Sequence, residues 1–494
     1  MIWISIAVIV LCLIGAVILY RLGRNVRYRL FGIALAAVAV FVIVTGMSGQ
    51  EERTRIYLLF AGILLLLTSC YMTIKKEITT VNIAGMIVVL CSAVLFMVVY
   101  CTYYESKEEL SWGGNQYGTL ANGSYIYDGL VPKPIKGDQK LQSISGGNYH
   151  SLGLDDSGQV WIWGWETVPY IQRYIPYKVN GLSHIIKVNA GARHSVALDC
   201  EGNVWTWGEN GAGQLGDGTN LPRPEPGKVE GLSRIVAIAA RDSSNLAIDM
   251  EGQVWAWGDN SFGQLGDGTR ISRNLPVLVK GLTNAKEIGC GSLFSIALTG
   301  DGNVWAWGNN TNGQLGNGEN TGSLVPVQSL IKNIREINCG AYHSFAIDYT
   351  GAVWGWGLND DGELGDGTNT VSVRTPIRID NLTGYRKVNA GTFCSAGIDQ
   401  EGKVTAWGRN NGSFLGMKHD QMEDSNVPLE IFGLNHVREI SVSGASAYAL
   451  EAYPLTPLLI TLVTAVFLLL LGLGLLMEGS LYHVVKTEKK AVSL

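Results

Sequence analysis

The chain has 494 residues, 62 of them Gly and 14 Trp, with 16% charged side chains and a net charge of −5. That length allows two to four domains, and high Gly together with high Trp excludes a disordered chain, pointing to tight turns between short strands that pack large rings. Residues 102–454 hold 26 basic and 37 acidic side chains, and a domain of that sign repels a phosphate backbone, so no nucleic acid is expected as a partner.

Four apolar stretches come first, at about 2–20, 30–46, 56–74 and 81–101, and a fifth lies at 455–477. Each approaches the roughly 20 residues that a helix needs to span a bilayer. The first lacks the basic start and small-residue cleavage site of a secretory signal, so it reads as a retained span. No Asp, Glu, Lys, Arg or His lies inside any of the five, which makes them an expected anchor and not a transport path. Arg21, Arg24, Arg27, Arg29, Lys75, Lys76, Lys486, Lys489 and Lys490 fall on one side if the spans alternate, and basic loops mark the cytoplasmic side. The expected organisation is a four-helix transmembrane region (1–101), an outward-facing domain (102–454), a transmembrane helix (455–477) and a basic cytoplasmic tail (478–494). This describes a multi-pass plasma-membrane protein, with five spans in the lipid bilayer and the large domain extracellular.

Within 102–454 the dipeptide Trp-Gly recurs at Trp112, Trp163, Trp207, Trp257, Trp307, Trp356 and Trp407, at steps of 51, 44, 50, 50, 49 and 51 residues. A fixed period near 50 signals a repeat architecture. Each copy has an alternating apolar stretch such as HSVALD (194–199), a turn with Gly, and then VWTWG (204–208). Trp205 and Trp207 are two apart, so on a strand both rings share one face. A loop of the form GQLGDGT follows, with Asp-Gly placed for a positive-φ turn. A Pro-containing segment such as PVLV reads as an outer edge strand, where a missing N–H costs little. IVAIAA and KEIGCG read as inner strands of small residues.

About four short antiparallel strands per copy make a sheet with two apolar faces, which it cannot bury alone. Arranged radially, neighbouring sheets cover one another, which is a β-propeller. Thirteen of the fourteen Trp lie in this domain, and burying one large ring is worth roughly 1.5–3 kcal/mol. The first copy enters at LSWGGNQYGTLANG (110–123) without the strand that precedes Trp-Gly elsewhere. The last leaves at ISVSGASAYALEAY (440–453), which supplies that strand. The two ends are therefore expected to share one blade. The expected fold class is an all-β seven-bladed propeller with four N-terminal and one C-terminal transmembrane α-helices.

The motif [HFS]-S-x-A-[LI]-x-x-x-G-x-V-W-x-W-G-x-N-x-x-G-Q-L-G-D-G-T resembles the repeat of the regulator-of-chromosome-condensation family over about residues 110–452. The resemblance implies a seven-bladed propeller and protein binding by the loops of one face. In that family the fold serves as a guanine-nucleotide exchange factor on chromatin, and a secreted bacterial relative blocks β-lactamases.

Several motifs are accounted for by the repeat. GAGQLG (211–216) fits the G-x-G-x-x-G nucleotide fingerprint but is followed by Asp-Gly-Thr and no helix. LNDDGELGDG (358–367) is rich in carboxylates, but not at EF-hand spacing. His150, His194 and His343 occupy one repeat position, which suits core packing. Cys290 and Cys339 sit at one inner-strand position of adjacent copies and read as small buried residues. No cofactor, metal or enzyme activity is expected.

The breaks in the repeat carry more information, because packing does not dictate them. The 44-residue step replaces GQLGDGT with WETVPYIQRYIPYK (165–178). Trp165, Tyr170, Arg173, Tyr174 and Tyr177 give it the composition of a binding hot spot. A longer, polar break is FLGMKHDQMEDSN (414–426). Arg241 and Asp242 stand where other copies have Gly-Ala or similar. The expected function is a membrane-anchored, outward-facing module that binds a protein, peptide or cell-wall polymer. An exchange-factor-like regulator, if the propeller is cytoplasmic, and an enzyme using one propeller face are the alternatives.

Overall fold

The structure, a computed structural model, describes residues 109–124, 128–168, 170–416, 423–434 and 436–451. They form seven four-stranded antiparallel sheets. In the second blade the strands are Ile185–Ala190, His194–Asp199, Val204–Gly208 and Arg223–Lys228, in that order from the axis outward. The small-residue strand is innermost and the Pro-containing strand is the outer edge, as the composition predicts.

Four blades are locked by an aspartate at the second turn. Asp199 ends the second strand, and its Oδ1 accepts the backbone N–H groups of Glu201 and Asn203. Its Oδ2 accepts the indole N–H of Trp205 at 3.0 Å. The same Asp-to-Trp bond recurs as Asp155–Trp161, Asp249–Trp255 and Asp348–Trp354. In these four blades the six-residue spacing of Asp and Trp thus closes the turn and fixes the first ring of the pair.

The second ring of each pair packs on the preceding blade. Trp307 of the fourth blade joins Leu246, Ile248, Val254 and Leu265 of the third in one core cluster. The glycine loop of the third blade covers this indole: a Cβ on Gly266 would stand 2.8 Å from Trp307 Nε1. Gly266 also has a φ of +66°, a conformation that costs glycine little and other residues more.

The seventh blade is built from both ends of the described chain. Its inner strands are Val437–Val442 and Ser446–Glu451, and its outer strands are Glu109–Gly114 and Asp128–Pro134. Trp112 pairs with Ala447, and Thr119 Oγ1 lies 2.8 Å from Ser446 Oγ. The ring is closed as the two incomplete copies predict.

The expected fold class is corrected in one respect. Among the described residues the only helical turns are two 3₁₀ turns, Asp380–Leu382 and Asn411–Ser413. No helix among them is long and apolar enough to cross a membrane. Over the described residues the fold class is an all-β seven-bladed propeller, and none of them supplies the four N-terminal and one C-terminal transmembrane α-helices that were expected. The stretches at 2–20, 30–46, 56–74, 81–101 and 455–477, and the tail 478–494, lie outside the described residues.

Candidate functional site

On one face of the ring, the inner strand turns into the second strand, and the third strand runs into the glycine loop. The turn places Tyr149, Arg193, Leu293, Tyr342 and Phe393 at one repeat position, the residue before the buried His, Phe or Cys. Each is at least partly exposed, so this face carries a rim of large side chains.

The break at 165–178 opens that rim. The other glycine loops satisfy themselves: Asn210 donates to the carbonyls of Thr219 and Leu221, and its Oδ1 accepts the N–H of Leu215. The first blade has a short hairpin instead, between strands Val160–Glu166 and Ile171–Lys178. Trp165 leaves this hairpin to stack on Tyr117, at 5.5 Å between centroids and 15° between planes. It meets Tyr149 edge-on at 5.6 Å. The Arg193 guanidinium carbon lies 4.7 Å from the Tyr149 centroid and 5.8 Å from that of Trp165, within range of cation–π attraction. Seventh, first and second blades thus join in one aromatic–guanidinium cluster.

The other residues singled out in the sequence do not all join it. Tyr170 stands at the hairpin tip, 75% exposed, with a φ of +64°. Arg173 pairs with Glu166 and covers the Tyr177 ring at 3.9 Å, so these two form a separate pair along the outer strand. Tyr174 belongs to packing: a Cβ on Gly118 would stand 3.1 Å from its ring, and its carbonyl accepts the Gly123 N–H at 2.8 Å.

Arg241 and Asp242 close the axis. At the position of Arg241 five other blades have Gly147, Gly191, Gly291, Gly340 and Gly391, where there is little room for a side chain. A Cβ on Gly391, for example, would stand 2.6 Å from the Ser443 carbonyl oxygen. Arg241 instead sends its guanidinium across the ring, where one terminal N–H meets Thr392 Oγ1 of the sixth blade at 3.4 Å. Asp242 Oδ1 accepts from Asn148 Nδ2 of the first blade at 2.9 Å. Further along the axis the inner strands bring charges that compensate one another, with Lys387 Nζ 3.6 Å from Glu439 Oε1 and Lys187 near Glu287.

The remaining motifs have structural roles. His150 Nε2 and Ser195 Oγ are 2.8 Å apart, and so are His343 Nε2 and Ser395 Oγ. A serine–histidine pair suggests nucleophilic chemistry, yet all four residues are buried and the pair recurs between different blades. Burial pulls the imidazole pKa down to about 4 for His150 and about 3 for His343, so both are neutral packing groups. The GAGQLG loop is occupied by its neighbour, since Gln214 O accepts the Trp257 N–H. Cys200, Cys290, Cys339 and Cys394 are free thiols.

Asp360, Asp361 and Glu363 place carboxylate oxygens within 4.8 Å of one another. The cluster is neutralised from within. Arg409 pairs with Asp361, and burial, with repulsion from Asp360 and Asp361, raises the Glu363 carboxyl to about 8. Glu363 stands where other repeats have Gln, and its Oε2 accepts the Asp361 N–H as Gln214 Oε1 accepts that of Ala212. Two shallow hollows of about 310 and 370 Å³ lie on the opposite face, and neither lining joins a nucleophile to a base.

Sequence reasoning found Trp165 but missed Tyr117, Tyr149 and Arg193. Tyr149 and Arg193 share a column with Tyr342 and Phe393, so comparing copies at that position would have marked the rim. Tyr117 is joined to them only by ring closure.

A closed ring of seven four-stranded antiparallel sheets defines a seven-bladed β-propeller. The chain belongs to the RCC1-like domain family: the RCC1-like domain model matches residues 168–453. The regulator of chromosome condensation (RCC1) repeat matches residues 142–168 and 110–154. No curated protein matches the sequence. Among solved structures, human WBSCR16 is similar at 21% identity and a TM-score of 0.63, over 71% of this chain and all of that one. Prp20p from Saccharomyces cerevisiae, studied for its binding to Gsp1p and histones, is similar at 23% identity and a TM-score of 0.64. That match covers 70% of this chain and 92% of the yeast one. At such identities these likenesses bear on the fold alone.

Proposed function

We propose that the chain is a protein-binding propeller that engages its partner through the rim carrying Tyr117, Tyr149, Trp165 and Arg193. One observation carries this reading: where the repeat breaks, three aromatic rings and a guanidinium from three blades converge on the surface. Elsewhere on the same face the glycine loops spend their polar groups on themselves. Aromatic residues and Arg are enriched at interfaces, and the rings supply large contact area with few torsions to fix. The exposed Tyr170 extends the surface from the hairpin tip. A peptide or wall polymer would meet the same rings.

The direct test is the pair Trp165→Ala and Arg193→Ala, measured for partner binding and for thermal stability. The reading expects each to weaken binding by about 1–2 kcal/mol or more, the range of interface anchors, with little change in melting. Unchanged binding by both variants would reject the rim as the site.

A further inference from the structure

The rim carries positive charge that no carboxylate among the described residues balances. Arg241 replaces glycine at the crowded axis, so packing does not call for it. Among the described residues no carboxylate lies within ion-pair distance of it; Asp217, Asp267, Asp361 and others are paired with different cations. Its one side-chain hydrogen bond, 3.4 Å to Thr392 Oγ1, is long. Its Nε is buried and has no acceptor. A buried donor of a charged group without an acceptor is costly. The adjacent Asp242 has an oxygen committed to Asn148.

Arg193 stands one blade away. The Ala192 N–H donates to the Asp242 carbonyl at 2.9 Å, so the two arginines flank a bond between their neighbours. Arg193 is exposed, lies over Tyr149 and Trp165, and forms no ion pair among the described residues. A stacked guanidinium keeps its edge N–H groups free for a carboxylate. The contrast is Arg409 on the same rim, which also lies over a ring, Phe393, at 4.1 Å, but is paired with Asp361.

We infer that the axial mouth on this face receives an acidic side chain from a protein partner, with Arg241 and Arg193 as its counter-ions. This rests on the rim being the binding face. A single carboxylate on a loop fits better than a polyanion, because Asp259, Asp360 and Asp366 on the glycine loops of this face form no ion pair among the described residues and would repel a charged polymer. The aromatic rings beside Arg193 would cover the apolar neighbours of that carboxylate and exclude water from the pair, which strengthens it.

The test uses the full chain, immobilised, and a phage-displayed library of random peptides. The expected binders carry Asp or Glu beside an apolar or aromatic residue. Changing that acid to its amide should weaken binding about tenfold, and Arg241→Gln should do the same. The two changes together should cost no more than one alone, which shows that the groups act as a pair. Arg193→Gln, at an exposed position, repeats the test where folding is not at stake, and the melting curve of each variant controls for the fold. Peptides that need Trp165 but neither arginine nor any acid would overturn this inference and leave the rim standing. Peptides indifferent to Trp165→Ala, or no binders at all, would count against both. Displacement of the acidic peptide by sulfate with no selectivity for the peptide acid would reassign the mouth to small anions and overturn it as well.

Discussion

The indole N–H of Trp257 donates to the backbone carbonyl of Gln214, 3.0 Å away and one blade earlier. The same bond joins Trp112 to Phe414, Trp163 to Thr119, Trp307 to Gln264, Trp356 to Gln314 and Trp407 to Glu363. Trp207 is the exception among the described residues: the preceding blade lacks the glycine loop, and this indole alone of the seven retains some exposure, at 3%. The break that opens the rim therefore also leaves a gap in the ring's main interblade bond.

Replacing Trp with Phe separates the bond from the packing. Trp257→Phe should destabilise more than Trp207→Phe by about 1 kcal/mol, because only the first gives up an interblade hydrogen bond, leaving Asn245 Nδ2 as the remaining donor to the Gln214 carbonyl. Urea midpoints of the two variants measure the difference, and equal losses would contradict it.

The Trp-Gly glycines test the close approach of strand and turn. Gly258 has a φ of +101°, and a Cβ there would stand 2.1 Å from the Ser243 carbonyl oxygen. Gly281 has a φ of +72° with no atom within 4 Å. Gly281→Ala should cost only the backbone strain, of order 1 kcal/mol, while Gly258→Ala adds a steric clash and should cost at least 2 kcal/mol more. Chemical denaturation of the two variants checks the order.

The buried histidines set an acid limit. Their folded pKa values, about 4 for His150 and about 3 for His343, lie below the ordinary 6.5. Below pH 6.5 the unfolded chain therefore takes up protons that the folded chain refuses. Stability is complete above 6.5 and falls as the pH drops towards 4, by up to a few kcal/mol for each ring. His343→Gln should flatten that part of the profile, and melting temperatures across pH 7 to 4 read the effect.

Glu363 works in the opposite direction. Its carboxyl is raised to about 8 from an ordinary 4.5, so the folded chain holds a proton that the unfolded chain releases. Its contribution is present below pH 4.5 and is lost as the pH rises through 8. Glu363→Gln keeps the acceptor for the Asp361 N–H and removes the ionisation. It should raise stability by about 1–3 kcal/mol at pH 8 and change little at pH 4.5. Melting curves at the two pH values decide it.

The blade was legible in the sequence because its order is local and repeated. Asp199, Trp205 and Trp207 sit at fixed spacing, and the period of two puts both rings on one face. Closure was legible because the strand missing before Trp112 is present after Ile440. The rim was not, since Tyr117 and Trp165 are brought together by ring closure, and Asn148 and Asp242 by their position across the axis. Tyr174 shows the limit of composition: its ring fills the space beside Gly118, which hot-spot statistics alone do not reveal. The apolar stretches outside 102–454 were read from hydropathy alone, and the described residues hold no helix of that kind.

Which face meets the partner is decided most directly by site-specific photo-crosslinking. One photoreactive residue replaces Tyr170, 75% exposed beside the rim, and another replaces Met250, 63% exposed on the opposite face. The account predicts a discrete partner adduct from position 170 that disappears with Trp165→Ala, and none from position 250. Adducts from position 250 alone would contradict it.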